Sequence, residues 1–554
     1  MSRRDTDQSA TIAARPHADT DAAARPPMPE HEHAPHIPAT PVGELLIVAV
    51  PAIVTMTSYT VMQFADMWIV SSFISADAVA AVGNAGVCAF IPGATMMGLV
   101  SVVNTFVSQN LGAGRPERGP AYAWNGLWLT TILWALLLVP WAYFLPEIFQ
   151  GMRALFVANP EAVPEAVKAM EIAYGRIMVL GLVFTIAARN MSHYFYGMHK
   201  PAVVMISAIG ANFVNVFASL TLVSEQVTIP LISQEPLQLP AMGVAGAAWG
   251  TVIGSAFEML LPMALFLSPR YNTPYRTRAA WKPSLRHLKD LFKLGWSPAL
   301  MFGNELICWW IFMAGFIATF DHGDHAIHNT AGWIVLRYMH LSFMPAVGCS
   351  IALSAIVGRY VGKKDIATAI KRTWLGLWLT VAYMGLWAVA FVIFRHQLIG
   401  VFLTNAGGGE TPLEVQQEII RVGAQVLIIA AAFQMFDAVA IAISGALRGA
   451  GDTIFPGVVT IILSWSVIVG GGWVCVSQMP QWGSLGPWGA AASYIILLSI
   501  VLFWRFMGNA WKTKSVVREH QAETVGLRLC PECGLDLGAT DAATACPQCA
   551  AAPA

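Results

Sequence analysis

Four acidic residues lie inside long apolar stretches of this sequence: Asp66, Glu258, Glu305 and Asp437. An ionised carboxylate surrounded by hydrocarbon is costly, so an acid in such a place usually faces a water-filled cavity and takes part in the chemistry there. A carboxyl group held away from water favours its neutral form, so each of the four could carry a proton near neutral pH. Two such acids close together could instead hold a hard cation such as Na⁺ through their oxygen atoms. The alternative is a structural acid that pairs with a group on a neighbouring helix.

The apolar stretches are long enough to cross a membrane. Hydrophobic residues make up 56% of the 554 residues and charged residues only 12%, a composition typical of a polytopic membrane protein. A helix needs about 20 apolar residues to cross a hydrocarbon layer of about 30 Å. The sequence therefore predicts an all-α protein with twelve spans. They lie near residues 44–73, 79–108, 121–147, 169–195, 201–223, 243–267, 290–319, 331–357, 373–395, 420–446, 454–477 and 486–507.

The basic residues predict the orientation of the spans. The loops after the even-numbered spans are rich in Lys and Arg, as at residues 270–289 and 359–372, whereas the odd-numbered loops carry few. Basic loops stay on the cytoplasmic side, so we expect both termini in the cytoplasm and the spans in the cell (inner) membrane. The N-terminal region lacks the pattern of a cleavable signal peptide, which predicts that the first span acts as an uncleaved anchor.

The chain repeats itself at an offset close to half its length. Pro51-Ala52 in span one recurs as Pro298-Ala299 in span seven. Six spans followed by six similar spans predict two lobes in the same orientation, with a substrate cleft between them. The predicted divisions are a disordered cytoplasmic tail (1–40), an N-lobe (41–268), a basic cytoplasmic linker (269–289), a C-lobe (290–508) and a cytoplasmic tail (509–554).

The acids in the spans do not follow this repeat. The positions that correspond to Asp66, Glu305 and Asp437 in the opposite half are Met313, Ser58 and Thr185. Residues kept only for packing would more often be apolar in both halves, so the asymmetry favours a functional role for the acids.

Four cysteines cluster in the C-terminal tail. Cys530, Cys533, Cys546 and Cys549 form two C-x₂-C pairs separated by twelve residues. Four thiolates with this spacing can complete a tetrahedral zinc site, so we predict a small cytoplasmic Zn²⁺ knuckle. Disulfides are the rival explanation, but a cytoplasmic tail lies in a reducing compartment. The knuckle could bind a cytoplasmic protein partner or only fold the tail, and the sequence leaves both open.

Five motifs give the chain a family resemblance over about residues 41–507. It resembles the MATE (multidrug and toxic compound extrusion) family, and the motifs keep the order and spacing found there. The resemblance implies two six-helix lobes that exchange an organic substrate for H⁺ or Na⁺. The motifs are AAVG at 80–83, VSQNLGAG at 107–114, FMPAVG at 343–348, VGRYVG at 357–362 and GALRGAGDT at 445–453.

The resemblance also assigns roles to individual residues. Asp66, Glu305 and Asp437 fall where the NorM-type branch places essential acids. Phe433, four residues before Asp437, stands where the Na⁺-using pattern has a tyrosine, so one possible cation ligand is missing. Asn215 in span five is a further coupling or substrate candidate in the first lobe.

Two departures from the family pattern accompany these assignments. Ser219, four residues after Asn215, replaces a second aspartate of the DinF-type branch. Arg359 replaces a usual glutamine, and the sequence assigns no effect to that change.

Basic residues also occur within spans. Arg189 in span four and Arg337 in span eight are expected to pair with internal acids or to extend toward the membrane surface. Arg337 is in addition a candidate to contact the substrate.

These observations predict a cation-coupled secondary antiporter that exports small organic, cationic amphipathic compounds by alternating access between two lobes. Its expected partners are the substrate and membrane lipid, with no nucleic acid. No ATP-binding P-loop occurs in the sequence, so an ion gradient is the expected energy source. No nucleophile–base motif stands out in the membrane part, so an enzyme is not expected. Two alternatives remain: a flippase of lipid-linked precursors, which needs a basic cleft, and a membrane scaffold or sensor that signals through the zinc knuckle.

Overall fold

A computed structural model of the chain describes residues 40–74, 76–156, 165–223, 226–227, 237–238, 242–321, 326–404 and 412–517. Within these ranges, twelve helices are long and apolar enough to cross a membrane. The number and positions of the predicted spans are therefore confirmed. The predicted N-terminal tail and the four tail cysteines lie outside the described residues.

The twelve long helices are numbered α1 to α12 in chain order. They are α1 (Pro41–Phe73), α2 (Ala81–Gly112), α3 (Pro116–Tyr143), α4 (Glu165–Gly197), α5 (Pro201–Val223), α6 (Val244–Leu267), α7 (Leu285–Phe320), α8 (Ile327–Gly362), α9 (Ile366–Ile393), α10 (Leu413–Ala450), α11 (Ile454–Gln478) and α12 (Leu485–Met507). Short helices at Leu145–Phe156, Pro269–Tyr275 and Arg395–Thr404 follow α3, α6 and α9. Strands Gln226–Val227 and Leu237–Gln238 pair antiparallel between α5 and α6.

Most helices run beyond the ends of the predicted spans. α10 has 38 residues, which at the α-helical rise corresponds to a length of about 57 Å. This length exceeds the hydrocarbon thickness of about 30 Å, so one or both helix ends reach beyond the hydrocarbon layer. Apolar composition marks only the part of each helix that contacts lipid or the core. The helix ends are set by local signals instead, such as Gly451, whose φ of 88° ends α10 in a left-handed turn.

Glycines allow α1 and α2 of the first half (α1–α6) to touch α8 and α7 of the second half (α7–α12). A methyl group on Gly98 of α2 would lie 2.5 Å from the carbonyl oxygen of Pro298 on α7. A methyl group on Gly348 of α8 would lie 2.7 Å from the backbone nitrogen of Ile53 on α1. Only glycine permits such close backbone approach, which is the usual means of packing helices in a membrane.

Hydrogen bonds join the two halves at one end of the bundle. Thr105 donates its hydroxyl to the carbonyl oxygen of Arg448 at 2.8 Å, and Gln109 Nε2 donates to the carbonyl oxygen of Gly449 at 2.9 Å. His199 Nε2 lies 3.3 Å from the carbonyl oxygen of Ala355. Because helices alternate in direction, these positions lie at the end where α1 begins. We call this the joined end.

The basic segment between the halves folds against α3. Trp124 Nε1 donates to the carbonyl oxygen of Thr277 at 2.8 Å, and Trp128 Nε1 donates to that of Trp281 at the same distance. The segment is therefore held at the joined end. The assignment of residues 41–268 and 290–508 to separate lobes stays a prediction.

Candidate functional site

Asp66 lies in a polar site formed by three helices of the first half. Thr251 of α6 donates its hydroxyl to Asp66 Oδ2 at 3.3 Å, and Asn215 Nδ2 of α5 donates to Thr251 Oγ1 at 3.3 Å. Ser219 lies one turn further along α5, where its hydroxyl packs against Gly250 of α6. We call Asp66, Asn215, Ser219 and Thr251 the first-half polar site.

Three oxygens of this site lack a hydrogen-bond partner among the described residues: Asp66 Oδ1, Asn215 Oδ1 and Ser219 Oγ. All three are buried, and a buried polar atom without a partner costs about 1–3 kcal/mol. A proton on Asp66, or a small hard cation bound beside it, would provide a partner for Asp66 Oδ1. The site therefore offers the oxygen ligands that either ion needs.

Glu305 and Asp437 come together in the second half. They lie on α7 and α10 within electrostatic range of one another, and the phenol of Tyr494 on α12 lies within range of both. We call Glu305 and Asp437 the acidic pair. Two like charges close together repel, so a pair of this kind favours the binding of a proton or a cation.

Amide, hydroxyl and indole groups fix the helix that carries Glu305. Asn304 Nδ2 donates to Ser464 Oγ at 2.8 Å, and Trp465 Nε1 donates to Asn304 Oδ1 at 2.6 Å. Ser464 and Trp465 begin a π-helical segment of α11, and α7 contains a second one at Phe312–Ile317. Segments of this kind often mark functional sites because they interrupt the regular helical hydrogen bonding.

Glu258 belongs to a different cluster. The Tyr59 hydroxyl donates a hydrogen bond to Glu258 Oε1, and Arg189 Nη1 lies 3.7 Å from the same oxygen. The Arg189 guanidinium also lies 3.6 Å from the centroid of the Tyr59 ring. The charge of Glu258 is therefore compensated, and Arg189 has the internal acid partner that the sequence indicated. A coupling role of Glu258 stays a prediction.

The remaining candidates take separate positions. Phe433 is fully buried on α10 in the apolar cluster that also contains Tyr494. Arg337 is exposed on α8 and lies within electrostatic range of His340, one turn away. Their roles stay predictions.

No cluster of three or more His, Cys, Asp or Glu residues suited to a metal occurs among the described residues. Cys530, Cys533, Cys546 and Cys549, the predicted zinc ligands, lie outside those residues. Within the described part, Cys88, Cys308, Cys349 and Cys475 are free thiols.

Sequence reasoning missed Thr251, Tyr494 and the Asn304–Ser464 pair. Thr251 lies seven residues before Glu258, so helical spacing alone could have placed it near that face of α6. Tyr494 lies in an apolar stretch with no charged neighbour, and nothing in the sequence places it within electrostatic range of two acids. Its place depends on the packing of α12 against α10.

A model of the MatE family matches the chain twice, at residues 51–221 and at residues 301–473. The two matches together cover more than half of the sequence. The chain belongs to the MATE family. Members of this family are transporters rather than enzymes, so the protein is an integral membrane transporter. The first match contains Asp66 and the second contains Glu305 and Asp437.

Curated relatives resemble the chain over most of their length. A probable multidrug resistance protein NorM of Thermotoga maritima is 24% identical over 450 residues, which cover 78% of this chain and 84% of the relative. A probable multidrug resistance protein NorM of Burkholderia pseudomallei is 25% identical over 492 residues, which cover 88% and 95%. The predicted resemblance to NorM-like MATE proteins is confirmed.

Solved MATE structures share the fold. The crystal structure of MATE in complex with MaL6 superposes with a TM-score of 0.71 at 18% identity, over 85% of this chain and 97% of that chain. An outward-facing multidrug resistance MATE transporter of the MOP superfamily gives a TM-score of 0.71 at 17% identity, over 86% and 97%. The all-helical MATE fold of this chain is therefore confirmed.

Proposed function

We propose that this MATE transporter is a secondary antiporter that exports small organic, cationic amphipathic compounds in exchange for H⁺ or Na⁺. The observation that carries the proposal is the acidic pair, Glu305 and Asp437, deep in a membrane-spanning bundle. The NorM proteins similar to this chain are described as probable multidrug resistance proteins, which supports an organic substrate.

The acidic pair supports ion coupling because its charge state must change with its occupant. Without a bound ion, the two carboxylates repel, and a cationic substrate can relieve the repulsion. With a proton or Na⁺ bound, the pair carries less negative charge and attracts a cationic substrate less strongly. Substrate and ion therefore compete for the same negative charge, which is the basic requirement for exchange.

The joined end indicates how the exchange is coupled to conformation. We infer that it lies on the cytoplasmic side, with both termini in the cytoplasm of the cell (inner) membrane, because the loops at this end carry most of the basic residues. The described conformation then faces outward. Ion binding from outside releases the substrate, the loaded halves rock, and the ion leaves to the cytoplasm, where a new substrate binds.

The first-half polar site supports a second ion or an assisting role. Asp66 has a free carboxylate oxygen among hydroxyl and amide groups, so its charge can be matched by a proton, Na⁺ or a cationic substrate. Asn215 and Thr251 orient this carboxylate.

The chemistry of these sites disfavours the flippase alternative. A lipid-linked precursor carries phosphates, and its binding calls for basic groups in the cleft. The two sites described above are acidic or neutral instead.

Proteoliposomes test the proposal directly. Efflux of a fluorescent organic cation is measured under an imposed pH gradient and then under an imposed Na⁺ gradient. We expect transport driven by one of the two, and loss of at least about 100-fold in Glu305→Gln and in Asp437→Asn, because each removes a charge that the ion must neutralise. Full activity in both variants would overturn the proposed coupling.

A further inference from the structure

We propose that Tyr494 is a further coupling residue, whose phenol completes the acidic pair as a hydrogen-bond donor or oxygen ligand. This inference rests on the proposed function and adds a residue to the site of that function.

The Tyr494 phenol lies where α12 meets the helices that carry Glu305 and Asp437. α12 packs against α10, which carries Asp437, and against the π-helical segment of α11 that contacts Asn304. Tyr494 is 3% exposed, and its hydroxyl lies within electrostatic range of Glu305, Asp437 and the Cys308 thiol. The two acids and the thiol come from α7 and α10, whereas the phenol comes from α12, a separate helix.

The surroundings of the Tyr494 ring explain why the hydroxyl matters. The ring belongs to an apolar cluster with Phe433 and Trp488, where a phenylalanine would pack equally well. A buried hydroxyl in such a cluster needs a polar partner. The carboxylates and the thiol are the groups within its electrostatic range, so the oxygen of Tyr494 serves the acidic pair rather than the packing.

The chemistry predicts a specific effect. When the acids are ionised, the phenol donates a hydrogen bond to a carboxylate, and a hydrogen bond to a charged group is stronger than a neutral one. When the pair holds Na⁺, the phenol oxygen adds a neutral ligand. In either case Tyr494 sets how tightly the driving ion binds, whereas Glu305 and Asp437 supply the charge.

Tyr494→Phe removes only this oxygen. We expect the concentration of the driving ion that gives half-maximal transport to rise by about tenfold, with the maximal rate kept within about twofold. Tyr383→Phe is the matched control, since Tyr383 accepts a hydrogen bond from Trp387 within α9 and its removal should leave the ion dependence unchanged.

A relocated hydroxyl provides the sharper test. Phe433 lies one helical turn before Asp437 and therefore on the same face of α10. The double variant Tyr494→Phe/Phe433→Tyr moves the oxygen from α12 to α10. We expect it to recover most of the lost ion affinity. Size-exclusion profiles and thermal unfolding check that both variants are folded.

The outcomes separate the inference from the proposed function. An unchanged ion dependence in Tyr494→Phe, with Asp437→Asn inactive, would overturn the role of Tyr494 alone. Loss of maximal rate together with lower thermal stability would show a packing role and would overturn it too. Absence of transport by the wild-type protein under both gradients would overturn the proposed function and this inference with it.

A second inference concerns Glu44, on the first turn of α1. We propose that Glu44 is a latch that holds the joined end closed. Glu44 is 2% exposed, and its carboxylate accepts a hydrogen bond from Arg372 Nε at 2.6 Å. The Tyr360 hydroxyl lies 3.0 Å from both of its oxygens, and Arg359 Nη1 lies 3.7 Å from Oε1.

These partners belong to the other half of the chain. Glu44 is on α1, whereas Arg359 and Tyr360 are on α8 and Arg372 is on α9. Removal of one partner from a buried ion pair leaves a charge without compensation, which is strongly destabilising. Without Glu44, the guanidinium groups of Arg359 and Arg372 would lose the carboxylate that they share at the joined end. This assigns an effect to Arg359, the position where the sequence departs from the family pattern.

Hydrogen–deuterium exchange on the full-length protein tests the latch. In Glu44→Gln we expect backbone exchange at residues 43–49 and 357–363 to rise by at least about tenfold, because the joined end opens more often. The control is Glu418→Gln, which removes an exposed pair with Arg421 on a single helix. We expect it to change nothing at the joined end.

A triple variant separates the latch from a general packing role. Glu44→Gln/Arg359→Gln/Arg372→Gln carries no unpaired charge, so its exchange at the joined end should be slower than that of Glu44→Gln. Unchanged exchange in Glu44→Gln would overturn the latch. Faster exchange spread evenly over all helices would also overturn it, because it would indicate loss of global stability.

Discussion

Thr251 Oγ1 donates a hydrogen bond of 3.3 Å to Asp66 Oδ2, which brings α6 against the acid of α1. The same hydroxyl accepts a hydrogen bond from Asn215 Nδ2. A neutral threonine thus orients both the carboxylate and the amide of the first-half polar site. The consequence is that the geometry of Asp66 depends on a residue without charge.

Thr251→Val should separate orientation from charge at this site. Valine keeps the shape and removes the hydroxyl, so Asp66 keeps its charge but loses a donor. We expect a rise of about threefold to tenfold in the driving-ion concentration for half-maximal transport, with the maximal rate retained. Asp66→Asn should remove the ion dependence of this site altogether. Initial transport rates at several ion concentrations measure both, and a Thr251→Val protein indistinguishable from wild type would contradict the assignment.

Glu258 and Arg189 should behave as a structural pair. Glu258→Gln leaves a guanidinium without its carboxylate and should lower stability by about 3 kcal/mol. The double variant Glu258→Gln/Arg189→Gln removes both charges and should recover much of that loss. Thermal unfolding of the two variants in detergent measures the difference, with transport assayed in parallel. A folded, stable Glu258→Gln protein that has lost ion coupling would instead support the coupling role predicted from the sequence.

The twelve spans could be predicted because apolar length is a strong and local signal. The acids Asp66, Glu305 and Asp437 were found for a related reason, since a charge in an apolar stretch stands out. Their neighbours could not be found in this way. Thr251 and Tyr494 are ordinary residues in their own helices, and they become important only because α6 meets α1 and α12 meets α10.

The role of Glu44 was also out of reach of sequence reasoning. Glu44 lies at the polar start of the first span, where an acid is expected to be solvated. Burial against Arg359 and Arg372 follows from the meeting of α1 with α8 and α9, which joins residues more than 300 positions apart. Long-range pairing of this kind leaves no local pattern.

Gly348 should tolerate no side chain because α1 crosses α8 at this residue. A methyl group there would lie 2.7 Å from the backbone nitrogen of Ile53, and a backbone atom cannot move aside as a side chain can. Gly348→Ala should therefore lower thermal stability and push the halves apart, with faster hydrogen exchange on both helices. Gly385 of α9 has open space around it, so Gly385→Ala should be neutral or stabilising by up to about 1 kcal/mol. Equal stability of the two variants would contradict the close crossing.

The tail cysteines should bind one zinc ion per chain. Cys530, Cys533, Cys546 and Cys549 have the spacing of a four-thiolate site. Elemental analysis of the purified full-length protein should give a zinc-to-protein ratio near one, and Cys530→Ser/Cys533→Ser should reduce it to near zero. Absence of zinc from protein prepared under reducing conditions would contradict the prediction.

The segment that leads from α12 to this tail should stabilise the joined end independently of zinc. The backbone N–H of Val516 donates to Gln109 Oε1 of α2 at 2.8 Å, and Lys514 Nζ lies 2.7 Å from Asp452 Oδ1. The segment thus contacts both halves. Deletion of residues 518–554 keeps these contacts and should leave the stability unchanged within about 1 kcal/mol. Deletion of residues 509–554 also removes the buried Trp511 and should lower the stability by several kcal/mol. Equal stability of the two truncated proteins would show that residues 509–517 do not hold the halves together.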